Sequence, residues 1–138
     1  MTSTIDPTAA LIYVMVAVSA SDADINDREM FAIGDVVHRL PAFDEFPDER
    51  LVTVAQDCAA ILAEPDGLRT VLGLARDALP GALRETALAF AWEVALVDRV
   101  VTAEEARILQ IIAEGLGVDP MVAAAIGRGI GARYVPLG

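Results

Sequence analysis

Between Ala9 and Val18 every position is apolar, whereas Met30, Ile33, Val36, Val37 and Leu40 recur at helical spacing among charged residues. The first pattern leaves no polar face and predicts a helix through about Ala20 that must be enclosed. The second predicts an amphipathic helix with one face on the core. A third helix is expected over about 48–63, burying Leu51, Val54, Cys58, Ile61 and Leu62, and a fourth over about 68–79. Pro80 opens a fifth, in which Leu83 and Ala87–Val97 form a second nearly all-round apolar stretch, broken only by Glu93. A sixth runs to Leu116 and a seventh ends near Gly131.

Caps and breakers place the boundaries. Asp6-Pro7 and Asp119-Pro120 read as N-cap followed by first helical position. Asn26 with Glu29, and Thr102 with Glu105, have the spacing of capping boxes. Pro41 stops the second helix before a linker over Phe43–Pro47, and Pro65-Asp66-Gly67 separates the third helix from the fourth. No stretch alternates apolar and polar residues as a half-buried strand would. The expectation is an all-α fold of about seven helices in a single compact domain across residues 1–138.

Composition narrows the function. Apolar residues make up 55% of the 138 and aromatics only 5%, which suits closely packed Ala- and Leu-rich helices. The net charge of −11, from 21 acidic and 10 basic residues, repels phosphate backbones and favours cations or basic partners. Nucleic-acid binding is therefore not expected. The run Ala9–Val18 is shorter than the roughly 20 residues that cross a bilayer. Met1–Thr8 before it holds Asp6 and no Lys or Arg, so neither membrane insertion nor a signal peptide is expected. Cys58, the single cysteine, reads as a small core residue, and the lack of a disulfide framework points to the cytoplasm.

The two apolar helices are followed by the same short grammar. At an offset of 76 positions Val18 falls on Val94, Asp22 on Asp98, Ile25 on Val101, Asn26 on Thr102 and Glu29 on Glu105. Ile33 falls on Leu109, Val36 on Ile112 and Leu40 on Leu116. Cap, core and acid recur in phase, which indicates an internal repeat with halves of about 10–64 and 80–131 and pseudo-two-fold packing. The shared unit, Asp-x-x-Ile/Val-Asn/Thr-x-x-Glu, runs from Asp22 to Glu29 and from Asp98 to Glu105.

This duplicated unit, set after an alanine-rich helix, resembles the TerB family of tellurite-resistance proteins and the related helical domain at the start of some membrane-anchored J-proteins. The resemblance covers roughly residues 10–131. It implies two central helices packed together and a role in a bacterial metal-stress or membrane-associated surveillance system. It also implies action through a protein partner and an acidic divalent-cation site. One departure is plain: the position after the Asp, commonly Gly in the family, holds Ala23 and Arg99.

The residues themselves support a cation site in Asp22, Glu29, Asp98 and Glu105, with Asp24 as accessory. Hard divalent ions take converging carboxylate oxygens, and Asp22 and Asp98 follow helix C-terminal ends, where negative charge invites a counter-ion. The competing reading gives Glu29 and Glu105 to their capping boxes and Asp22 and Asp98 to turn amides. It leaves a metal-free helical interaction scaffold. An EF-hand is excluded, because Asp27 and Ile33 stand where its loop needs Gly and Glu. An enzyme is not expected: His38, the only histidine, has no Ser or Cys partner visible in sequence and reads as a charge near a helix C-terminus. Gly127, Gly129 and Gly131 follow no strand and so are not a phosphate loop. On a helix, Gly127 and Gly131 share a face that permits close packing, and the alternative reading is that they mark fraying of the C-terminal helix. Glu93, whose counterpart at the repeat offset is Ala17, is expected to meet water or an arginine such as Arg107. The duplication itself makes a geometric prediction. Residues 10–40 should superpose on residues 86–116, and helix pairs crossing at unrelated angles in an experimental structure would refute it.

Overall fold

The structure, a computed structural model, describes residues 5–19, 27–98 and 101–137, apart from the side chains of Glu29, Ala42 and Asp98. Seven α-helices appear among these residues, and no strand: α1 (Pro7–Ser19), α2 (Asp27–Arg39), α3 (Asp48–Leu62), α4 (Gly67–Ala78), α5 (Gly81–Ala95), α6 (Ala103–Leu116) and α7 (Pro120–Ala132). Short 3-10 turns at Pro41–Phe43 and Leu96–Asp98 join α2 to α3 and extend α5.

All ten residues from Ala9 to Val18 are buried, and α1 packs against α2, α3, α4, α5 and α6. A helix without a polar face has no side to give to solvent, so the others surround it. Each fully buried Leu, Ile, Val or Met on it contributes about 1.5–3 kcal/mol before entropy is set against it. Its most extensive contact is with α5, which buries Ala87, Leu88, Ala91, Glu93, Val94 and Ala95. The outer surface of α5 is less covered than its sequence suggests, since Phe90 and Trp92 are half-buried and Val97 is exposed. The second helix of each proposed half crosses to the other, α2 onto α5 and α6 onto α1. Ile33 and Val36 of α2 and Leu109 and Ile112 of α6 are all buried.

The caps fix where these helices begin. Ala9 N donates to Asp6 Oδ1 at 2.8 Å, Met121 N and Val122 N donate to Asp119 Oδ2, and Thr102 with Glu105 forms a complete capping box. α6 ends at Gly117, whose φ of 73° is left-handed backbone that a side chain would strain. The linker after α2 is an anchor. Phe43 is buried and meets Phe46 edge-on at 5.7 Å between centroids, with Phe90 of α5 at 6.4 Å.

α7 is peripheral. None of its residues is buried, and it rests mainly on α5. Of the glycines expected to allow close packing, only Gly127 does so: a Cβ there would stand 2.8 Å from Trp92 Cζ2, while Gly131 meets nothing within 4 Å. Gly127→Ala must therefore push α7 off the rigid indole. It should destabilise the protein by about 1–3 kcal/mol in urea unfolding. Gly129→Ala, also with nothing within 4 Å, should stabilise by about 0.5–1 kcal/mol through helix propensity alone. Equal effects of the two substitutions would contradict the close packing of α7 on Trp92.

Candidate functional site

Along the sequence, the acids of the duplicated unit run from after α1 into α2 and from the turn after α5 into α6. Asp22 and Asp24 lie outside the described residues, as do the side chains of Glu29 and Asp98. By backbone, Glu29 belongs to the first turn of α2 and Asp98 ends the 3-10 turn after α5. Glu105 is the one acid of the set with a described side chain. Thr102 N donates to its Oε1 at 3.0 Å, and Glu105 N donates to Thr102 Oγ1 at 3.0 Å. One of its carboxylate oxygens thus holds a helix end. Among the described residues, no three of His, Cys, Asp and Glu come together as a metal-binding group.

The structure does assemble a second charged cluster, around Glu93. This is the buried charged side chain of the described core, 7% exposed on α5. Arg133 Nη1 donates to Glu93 Oε1 at 2.6 Å, the Tyr134 hydroxyl donates to Oε2 at 3.1 Å, and Arg39 Nη2 lies 3.9 Å from Oε2. Burial, and then the Glu93 charge beside it, raise the Tyr134 phenol above its ordinary range, so it remains a protonated donor. The arginine expected for Glu93 is present, but it is not Arg107. Glu93 faces a cavity of about 230 Å3 between α2, α5 and α7, and α6, which carries Arg107, contributes nothing to its lining. The sequence concealed this pairing because its donors lie 40 and 41 residues away, at and beyond the end of α7.

Chemically, the cluster is a three-way tie between the end of α2, the last turn of α5 and the segment after α7. Its carboxylate accepts from Arg133 and Tyr134, and no Ser, Thr or Cys appears among the described residues lining the cavity. The other reactive groups are equally committed. Burial pushes the Cys58 thiol up to about 12, and its Sγ lies 3.6 Å from the Tyr13 carbonyl oxygen. His38 Nε2 pairs with Asp48 Oδ1 at 2.7 Å, which joins α2 to the start of α3, a contact beyond the helix-end role read from sequence.

Glu93→Gln removes the charge while keeping the shape. Because Arg133 is 58% exposed and can recover water, the cost should stay near that of one charge-assisted hydrogen bond, about 1.5–3 kcal/mol. Amide exchange should accelerate at residues 130–134, and any cation affinity should be unchanged. A large loss of cation affinity would instead place Glu93 in the binding site.

Comparison with known proteins adds one match. No curated protein and no solved structure matches the chain. The family model described as tellurite resistance protein TerB matches residues 8–127, from the first turn of α1 to Gly127 against Trp92, and takes in both copies of the acidic unit. The chain belongs to the TerB family.

Proposed function

We propose that this TerB-family chain works by binding rather than catalysis, as a cytoplasmic domain of the bacterial tellurite-resistance stress response that takes up a divalent cation and acts through a protein partner. The observation that carries the reading is the family match over residues 8–127, a span that includes Asp22, Asp24, Glu29, Asp98 and Glu105. These five would hold the ion. An all-carboxylate donor set suits a hard cation such as calcium, magnesium or manganese, and the net charge of −11 attracts one. Among the described residues no helix is long and apolar enough to cross a membrane.

A second reading, a metal-free interaction scaffold, is favoured by one specific observation. Glu105 already spends Oε1 on the Thr102 amide, which is a sufficient reason for an acid at that position.

Calorimetric titration of metal-stripped protein with calcium, magnesium, manganese and zinc separates the two. The cation reading expects saturable heat, and stabilisation of about 2.7 kcal/mol at a free ion concentration a hundred times Kd. Asp22→Asn and Asp98→Asn should each weaken that response while leaving the helical signal intact. Absence of saturable heat with all four ions leaves the scaffold reading in place.

A further inference from the structure

Of the buried residues that run from Ala9 to Val18 through α1, one ends in a polar group. Tyr13 is 5% exposed, and its ring belongs to the core. A buried tyrosine normally gives its hydroxyl a partner. This hydroxyl bonds to none of the described residues, yet no buried polar side-chain atom among them lacks a partner. It must therefore touch open space, and Tyr13 lines a cleft of about 370 Å3 between α1 and α3.

Helical spacing builds this cleft. Asp6, Ala9 and Tyr13 come from one side of α1 and its cap, and Arg50, Thr53, Val54 and Asp57 recur at i, i+3, i+4 and i+7 along α3. Asp6 and Arg50 neutralise each other at 2.6 Å, and Asp6 Oδ1 also accepts from the Ala9 amide and the Thr8 hydroxyl. Asp57 is different. It is exposed in the middle of α3, away from any cap, and the residues three and four positions from it are Thr53, Val54, Ala60 and Ile61, none of them basic. Among the described residues it makes neither a hydrogen bond nor an ion pair. Burial, and then the Cys58 and Asp57 groups, raise the Tyr13 phenol above its ordinary range, so the hydroxyl stays neutral. Thr53 commits its hydroxyl proton to the Glu49 carbonyl oxygen at 3.3 Å, which leaves the lone pairs of Oγ1 open.

One cleft is thus lined by three residues with open oxygen acceptors, Tyr13, Thr53 and Asp57, and has apolar walls from Ile5, Ala9 and Val54. A hard divalent ion would need more than the single uncommitted carboxylate. A primary ammonium has three N–H donors and needs one counter-charge. We propose that the cleft between α1 and α3 is a binding site for a small aliphatic amine, whose primary ammonium group donates to Tyr13 Oη, Thr53 Oγ1 and the Asp57 carboxylate while its methylene chain lies against Ile5, Ala9 and Val54. The site shares no residue with the duplicated acidic unit.

The probe is butylammonium, titrated in EDTA and about 0.15 M salt, where attraction to the distant acidic surface is screened. Amide chemical shifts follow the titration, and saturable changes are expected at residues 9–13 and 50–57. Butyltrimethylammonium carries the same charge without an N–H and should bind at least about tenfold more weakly, and butyrate should not bind. Asp57→Asn and Tyr13→Phe should each weaken butylammonium binding about tenfold. Tyr13→Phe keeps the ring in the core and should melt at the wild-type temperature, because the hydroxyl bonds to none of the described residues. The proposal is overturned by the absence of saturable shifts, by equal binding of either control ion, or by indifference to either substitution. A lower melting temperature for Tyr13→Phe also overturns it, since the hydroxyl would then be tied within the protein. Tighter binding of Nα-acetyl-lysine amide than of butylammonium overturns it in favour of a partner's lysine. Because EDTA is present throughout, each of these outcomes leaves the divalent-cation reading to its own titration.

Discussion

Everything in this fold depends on enclosing α1. Ten consecutive buried residues, Ala9–Val18, leave that helix no face to share with water, so the chain must supply neighbours on every side. Amphipathic α2, α3, α4 and α6 meet this demand with one face each, and α5 makes the most extensive contact with α1. The small residues Ala10, Ala17, Ala87 and Ala91 on the two central helices are all buried, which suits close approach of helix axes. Cys58 belongs to the same enclosure. Its thiol lies against the Tyr13 carbonyl and remains protonated because burial disfavours the thiolate.

Placing α5 beside α1 has a cost at Glu93. A carboxylate in that setting must be matched, and the match comes from Arg133, Tyr134 and Arg39. The tie fixes the far end of α7, while Gly127 against Trp92 fixes its middle. Between those two anchorages α7 buries no residue completely. A helix attached this way can border a groove without closing it. The peripheral helix that contributes least to the core therefore borders the open cavity over Trp92.

The acidic unit presents a different economy of residues. At Thr102 and Glu105 the sequence grammar is explained by helix capping, with both reciprocal hydrogen bonds formed. The same grammar lies within the span matched by the family, and its Asp members fall in the connections after the two most apolar helices. Capping and cation binding make demands on different oxygens of one carboxylate. A Glu that gives Oε1 to a backbone amide retains Oε2.

The sequence by itself determined the helices, their order and most of their ends. Those features depend on local rules: the period of apolar residues, proline at the first helical position, and side-chain caps that reach three residues along the chain. It also identified α1 as the helix to be enclosed, and the family, through a unit whose spacing is short enough to read directly. The partners of Glu93 were not legible, because Arg133 and Arg39 are brought to it by how α7 and α2 lie on α5, and no local pattern ties residues 40 or more positions apart. Nor does the sequence distinguish Gly127 from Gly131, four residues apart on one helical face. Only the position of the Trp92 ring does that, at one glycine and not the other. The cleft that Tyr13 lines likewise depends on how α3 lies on α1, an interhelical geometry set by tertiary packing. Local propensity fixed what each segment is, and long-range packing alone decided which side chains meet.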